Sequence, residues 1–300
     1  MAKKSKKTVS EDNQYKKKIF NFCIFGSDGL LGKHFLSELK KENVFKVARG
    51  NSNYNIDLKN FDKIEKLFKI FKFNNVINCA AKINLDYCEN SYKEAKKINT
   101  SLPKFLTKMS FKYNFKLIQI STDHFYKSKR KILHKETDKI YAINNYSKTK
   151  KEAEKFVKKN PNNLIIRTNF TGRGKSSRLT FVEWIYKSLK RSNKINLFND
   201  MYTSTLDVKY CSKIIIDLIK KNANGIYNVA SKDALSKKDF AILFANKMRK
   251  KINFSESSST KLQTKRGKFL GLNVKKTEKK LKIKIKNSTS VINSLAREFK

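Results

Sequence analysis

Short solid runs of apolar residues alternate along this chain with stretches in which apolar positions recur every three or four residues. The first run is Ile19–Phe25, and Leu30, Leu31, Phe35, Leu36 and Leu39 after it share one helical face. Val44–Ala48 reads as a second strand, followed by an amphipathic helix on Phe61, Ile64, Leu67, Phe68 and Phe71. Residues 75–78 form a third strand, and a helix runs through Asn99, Leu102, Phe105, Leu106 and Met109 to a strand over 115–120. Residues 124–144 are an excursion with little periodicity. A helix opening at Asn144 carries Ala153, Phe156 and Val157, and 163–166 is again a strand. Beyond it, Phe181, Trp184, Ile185 and Leu189 stripe a helix, Ile195–Phe198 and 205–206 are short extended pieces, 210–219 is a helix and 225–230 a strand. Ser236 caps a helix through Phe240, Leu243 and Phe244. From Lys250 the chain is basic and rich in serine, with 269–274 as its strongly apolar piece, and no fixed-period repeat is visible.

Between the first strand and helix stands Gly26-Ser-Asp-Gly29-Leu-Leu-Gly32. Gly26 permits the sharp turn off the strand, Gly29 lets the backbone approach a pyrophosphate, and Gly32 lets the helix lie close on the sheet. The anion then rests on the positive end of the helix dipole. Three of only nine glycines fall in these seven residues. Asp28, Leu30 and Leu31 lie within the turn and join it as cofactor-contact candidates. Alternating strands and helices after such a turn predict an α/β chain, a Rossmann-type doubly wound parallel sheet with a smaller C-terminal α/β substrate lobe. Residues 19–170 and 205–230 are assigned to the dinucleotide-binding domain, and 171–204 and 231–300 to the substrate lobe. Residues 1–18, dense in lysine and poor in apolar surface, are expected to be a disordered basic tail.

A formal net charge of +44 would ordinarily suggest nucleic acid. The lysines, however, are spread over the whole chain, and Ile, Asn, Phe and Tyr are abundant while Pro (2) is scarce, a skew expected of AT-rich codons. A solvated basic surface that attracts anionic small molecules is the reading taken, with no specific nucleic-acid partner. No apolar run is long enough to span a bilayer and the N-terminus lacks an apolar signal core, so a cytoplasmic protein without membrane insertion is expected. Cys23, Cys79, Cys88 and Cys211 are widely spaced, which suggests reduced, mostly buried thiols. His34, His124 and His134 have no metal-ligand spacing; no metal is expected, and all three read as structural or surface residues.

Candidate chemistry falls at strand ends, where open α/β sheets bind ligands. Arg49 follows the second strand, where an acidic residue would hold a ribose 2′-hydroxyl and an arginine suits a 2′-phosphate, so it favours NADPH, with NADH possible. Small residues Ala80 and Ala81 follow the third strand and let a loop lie against a flat ligand. Ser121-Thr122-Asp123 ends the strand over 115–120. Tyr146 and Lys150, four apart, share one helical face, where an ammonium favours phenolate over phenol. Such a phenol can protonate a carbonyl oxygen as hydride reaches the carbon.

Taken in order, Gly26-x-x-Gly29-x-x-Gly32, Asn78-Cys-Ala-Ala81, Asp86-x-Cys88-Glu89, Ser121-Thr122-Asp123, Tyr146-x-x-x-Lys150 with Glu154, Arg167-Thr-Asn-Phe170, Asp207-Val208 and Gly225-Ile-Tyr-Asn228 resemble the extended short-chain dehydrogenase/reductases. Within these, they resemble the dTDP-4-dehydrorhamnose reductase family of nucleotide-sugar reductases, over about residues 19 to 285. The resemblance implies that NADPH reduces the C4 carbonyl of a nucleotide-linked 4-keto-6-deoxy sugar, for surface polysaccharide precursors. It implies Tyr146 as proton donor, Lys150 as the residue that lowers the Tyr146 pKa and holds the nicotinamide ribose, and Thr122 as a hydrogen-bond partner of the carbonyl. Asp57 and Leu58 would border the adenine, Ala80 and Ala81 the nicotinamide, and Asn99 would join the cofactor contacts. Asp123, Asn169, Arg173, Lys175 and Trp184 are the candidates for the nucleotide-sugar, and a homodimer is possible on the same ground. Ser147 and Ile83 depart from the family pattern, as does the glycine-free loop after Asp123, and these bear on the substrate more than on the chemistry. Two other functions stay open: a nucleotide-sugar epimerase or dehydratase with retained NAD, against which His124 stands where dehydratases carry a second acid, and a non-catalytic dinucleotide-binding regulatory subunit.

Overall fold

A computed structural model describes residues 18–50, 52–128, 130–174 and 179–300. The expected basic tail, but for Lys18, and Lys175 lie outside the described residues. In chain order the elements are β1 (Ile19–Phe25), α1 (Leu30–Glu38), β2 (Val44–Ala48), β3 (Tyr54–Asn55), α2 (Phe61–Ile70), β4 (Lys72–Asn78), α3 (Leu85–Asn90), α4 (Tyr92–Lys96), α5 (Leu102–Lys112) and β5 (Lys116–Ile120). After the excursion come α6 (Asn145–Val157), β6 (Leu164–Thr168), β7 (Phe170–Thr171), α7 (Phe181–Arg191), β8 (Ile195–Phe198), β9 (Tyr202–Thr203), β10 (Leu206–Asp207), α8 (Val208–Lys220) and β11 (Gly225–Val229). The chain closes with β12 (Leu235–Ser236), α9 (Lys237–Lys247), β13 (Phe254–Ser257), α10 (Lys275–Leu281) and α11 (Ser288–Phe299).

Seven parallel strands order as β11-β6-β5-β4-β1-β2-β3. The order reverses between β1 and β4, and the carboxyl ends of these strands open the crevice where α/β sheets take ligands. Strand β1 is buried on both faces: Phe22 and Ile24 join one core layer with α1 and α8, and Cys23 and Phe25 join the other with α2 and α5. That two-sided burial is why it reads as a solid apolar run rather than an alternating one. The C-terminal part carries three short two-stranded pairings, β10 with β7, β12 with β9 and β13 with β8.

Three differences from the sequence reading have physical causes. The helix expected through Asn99 is two helices, α4 and α5, joined by a wide turn over Lys97–Ser101, two residues before Pro103, which has no N–H to donate to a preceding turn. Among its described residues the 124–144 excursion contains no helix or strand, yet Phe125 and Tyr126 are fully buried. It is pinned from below: Arg167 at the end of β6 makes a two-pronged ion pair with Glu154 of α6 (3.0 and 2.8 Å) and donates to the Tyr126 hydroxyl at 3.0 Å and the Glu136 carbonyl at 3.1 Å. His134 stacks on Tyr126 at 3.9 Å. The basic C-terminus, finally, ends in a true helix, α11, whose Val291, Ile292, Leu295, Ala296 and Phe299 are buried against the core. All four cysteines are free, with Cys79 the partly exposed one.

Candidate active site

The first βα turn is shaped by its glycines. Gly26 adopts φ +78°, a left-handed conformation, and a side chain there would also meet the Ala80 backbone nitrogen at 2.9 Å. A Cβ on Gly32 would run into the Gly26 carbonyl oxygen and sit 2.8 Å from Ser27 Cα, so the first turn of α1 rests directly on the loop. Gly29 is the N-cap of α1, and no side chain caps its amides. Those amides, at the positive end of the helix, are left facing the cleft for an anion such as a diphosphate, in a turn that a Cβ on Gly26 or Gly32 would disrupt.

This turn forms one end of a cleft of about 1060 Å³ at the carboxyl ends of the strands. Gly26, Asp28, Gly29, Leu30, Leu31 and Gly32 line it, as do Arg49, Asp57, Leu58, Ala80 and Ala81. Thr122, Asp123, Tyr146, Lys150 and Asn169 line it away from the turn, and Arg173 lines it next to Gly174, which faces Leu30 of the turn. The fold thus gathers residues that follow β1, β2, β3, β4, β5 and β6, together with two from α6, into one space. Two expected residues are not among its lining. Asn99 is spent on structure: its Oδ1 accepts from the Lys82 N–H at 2.8 Å, and its Nδ2 donates to the Lys82 carbonyl at 2.9 Å and the Thr149 hydroxyl at 3.1 Å. Trp184 packs beside Phe181 (6.0 Å) against the core, one helical turn from the cleft wall that Phe181 itself lines.

Asn144 caps α6 through a reciprocal pair of bonds with Ser147, and this fixes the first turn that carries Tyr146. Ser147, in place of the family's usual glycine, is itself part of that cap. Burial pushes the Tyr146 phenol well above the usual value, and the neighbouring Thr122 hydroxyl opposes the shift. The expected ammonium effect is absent from the forces acting on it. Lys150 Nζ instead donates to the Ile120 carbonyl at 2.6 Å, and its own pKa is lowered to about 8 by burial, with Glu154 opposing. The correction matters: this phenol is a protonated acid at neutral pH, not a near-phenolate. Glu154 also accepts from the Ser121 hydroxyl at 2.7 Å, so the buried Arg167–Glu154 pair steadies the strand end that presents Thr122.

The cleft is also lined by residues to which the sequence assigns no site role. His124, taken as structural, lines the cleft, as do Arg266 and Phe170. Position after Thr122 was the available signal for His124, and position after Asn169 for Phe170. For Arg266, far along the chain from both, there was none. His134 does fit the structural reading, with Nε2 bonded to the Phe269 carbonyl at 3.0 Å, whereas His34 also reaches the cleft.

The family model described as the RmlD substrate binding domain matches residues 20–300. The chain belongs to that family. A probable low-salt glycan biosynthesis reductase, Agl14, of Haloferax volcanii is 25% identical over 229 residues, covering 72% of this chain and 76% of its own. A dTDP-4-dehydrorhamnose reductase of Aggregatibacter actinomycetemcomitans is 25% identical over 228 residues, 73% and 76% of the two chains. Among solved structures, a dTDP-4-dehydrorhamnose reductase of Bacillus anthracis in complex with NADP superposes with a TM-score of 0.84 at 23% identity, covering 94% of this chain and 100% of that one. The seven-stranded Rossmann-type sheet with its C-terminal additions is the fold of this family.

Proposed function

We propose that this member of the family is an NADPH-dependent reductase of the C4 carbonyl of a nucleotide-linked 4-keto-6-deoxy sugar. The observation that carries the reading is that Thr122, Tyr146 and Lys150 line the same cleft as the glycine turn, with the Thr122 hydroxyl close enough to Tyr146 to act on its phenol. The cofactor supplies hydride to C4 when bound. Tyr146, held protonated by burial, gives its phenolic proton to the carbonyl oxygen, and Thr122 holds that oxygen through its hydroxyl. Lys150 places a positive charge behind the oxygen and a donor toward a ribose. The glycine turn holds the dinucleotide's diphosphate, Asp57 and Leu58 border the adenine, Ala80 and Ala81 border the nicotinamide, and Arg49 answers a 2′-phosphate, which favours NADPH over NADH. Asp123, Asn169 and Arg173 face the nucleotide-sugar, which draws its remaining contacts from the C-terminal lobe.

The names of the Haloferax and Aggregatibacter relatives support a place in glycan precursor synthesis. No described helix is long and apolar enough to cross a membrane, consistent with a cytoplasmic site of action; a homodimer remains part of the proposal. The deciding experiment is NADPH consumption against dTDP-, GDP-, UDP- and CDP-linked 4-keto-6-deoxy sugars, followed at 340 nm. Reduction of one of them is the expected result. Consumption of none, together with NAD released from the denatured protein, would replace the reductase with an epimerase or dehydratase; consumption of none without retained cofactor points to a regulatory subunit.

A further inference from the structure

The reductase function uses Thr122, Tyr146 and Lys150, and leaves one titratable group of the same cleft wall unemployed. His124 stands two residues after Thr122, and its backbone N–H donates to the Thr122 hydroxyl oxygen at 3.2 Å. Its ring stands edge-on to the ring of Tyr146, with centroids 5.9 Å apart and planes at 87°. Its Nε2 lies 3.8 Å from Oδ1 of Asp123. That carboxylate is itself fixed: the other oxygen accepts from Asn169 Nδ2 at 2.8 Å, and Asn169 in turn accepts from Thr205 at 2.9 Å. A carboxylate beside Nε2 favours the tautomer with its proton there, which leaves the Nδ1 lone pair as acceptor.

The charges facing the imidazole are Asp123, Arg266 and Lys237. Burial is the main influence and pulls its pKa below the usual 6.5, Asp123 opposes, and the two cations reinforce the fall. A neutral imidazole therefore lines the same cleft as the Thr122 and Tyr146 hydroxyls, to which the proposed function gives the carbonyl oxygen. That is the equipment for enolisation: a base at carbon and donors at oxygen.

We propose that His124 is a carbon base and that the protein, besides reducing its 4-keto sugar, exchanges a proton at a carbon adjacent to C4 with solvent. The sugar's identity rests on the reductase function proposed above. In the forward step His124 takes a proton from that carbon, the C–H electron pair becomes a C=C bond, and the carbonyl electrons move onto oxygen, where Tyr146 and Thr122 hold the enolate. The imidazolium exchanges its proton with water and returns one to carbon, regenerating the ketone. Nothing is oxidised or reduced, and no other reactant is needed. Return to the opposite face would invert that carbon, so the same step is the first half of an epimerisation.

The test incubates the full-length protein with NADP+, which cannot donate hydride, and the 4-keto sugar that it reduces, in D2O. Mass spectrometry and proton NMR read deuterium at the carbons flanking C4 against an enzyme-free control. The wild type is expected to exchange well above that control. His124→Asn is expected to lose about 100-fold or more of the exchange, the usual contribution of a general base, with a much smaller loss in reduction, so that the exchange-to-reduction ratio falls. Wild-type exchange no faster than the control, or an unchanged ratio in a variant that still quenches NADPH fluorescence on binding, overturns the proposal. Should that variant not fold, the wild-type pH profile decides: exchange should fall on acidification through the imidazole's pKa, below 6.5, and a profile flat across that range overturns it. Reduction without exchange leaves the reductase standing and removes the base. Exchange of 4-keto sugars, none of which is reduced, does the reverse.

Discussion

The two ends of the cleft are built from different materials. Around Gly26, Gly29 and Gly32 the binding surface is backbone: an extended N-cap, a left-handed turn and a helix lying on its own loop, with no side chain capping the amides. Around Thr122, Tyr146 and Lys150 the surface is side chains, and their burial decides what they do. The first end depends on shape, which a single methyl group can spoil. The second depends on desolvation, which keeps Tyr146 protonated and holds Lys150 at about 8. The diphosphate can thus be held by backbone amides alone, which leaves Thr122, Tyr146 and Lys150 for the carbonyl and the sugar of the cofactor.

Substitutions at the two ends should therefore fail in different ways. The largest effect is expected from Tyr146→Phe, which removes the proton donor but keeps the ring: kcat should fall by about 10²–10⁴-fold while the NADPH dissociation constant changes far less. Comparable losses in both would place Tyr146 among the binding groups instead. Next is Lys150→Met. The native ammonium, with a pKa lowered from 10.5 to about 8, is charged at pH 7 in both folded and unfolded chains, and the folded chain then bears the desolvation cost of about 3 kcal/mol. Above pH 8 the folded chain releases the proton while the unfolded chain keeps it, so this cost fades as pH approaches 10.5. Allowing about 1 kcal/mol for the lost bond to Ile120, the methionine variant should be the more stable by about 2 kcal/mol at pH 7, with lower activity. Its advantage should vanish toward pH 10, as read by urea unfolding at both pH values; a gap that does not change with pH removes the argument.

At the glycine end, Gly32→Ala should cost about 1–3 kcal/mol of stability through overpacking and weaken NADPH binding, with little change in kcat at saturating cofactor. A kcat loss as large as that of Tyr146→Phe would erase the contrast between the two ends. The smallest effect is expected from Arg49→Ala, which should lower affinity for NADPH by about tenfold, 1.4 kcal/mol, and leave NADH binding nearly unchanged. Equal effects on the two cofactors would show that Arg49 merely ends its strand.

Much of the fold was legible because its signals are local. The run of Phe20, Phe22 and Phe25 with the three glycines predicts strand, turn and helix within twenty residues. Tyr146 and Lys150 share a face by helical period alone. The reading failed where a residue's meaning depends on its surroundings. Trp184 and Phe181 are one turn apart on α7, yet only Phe181 meets the cleft, a matter of how α7 is rotated against the core. Asn99 lies on the correct segment but turns its amide to Lys82 and Thr149. Helix α11 carries apolar residues at 291, 292, 295, 296 and 299, a visible helical pattern that the surrounding lysine and serine obscured.

By itself, the order of residues determined the element sequence, the anion cradle and the segments that supply candidate chemistry, since turn geometry and periodicity act over a few residues. Only the tertiary structure decided protonation and partnership: that the Tyr146 phenol is raised rather than lowered, that Lys150 turns to the Ile120 carbonyl, and that His124, Arg266 and Asp123 meet. Desolvation and Coulomb forces sum over everything nearby in space, and the groups that set them here come from β5, α6, α9 and the segment before α10, which are far apart along the chain.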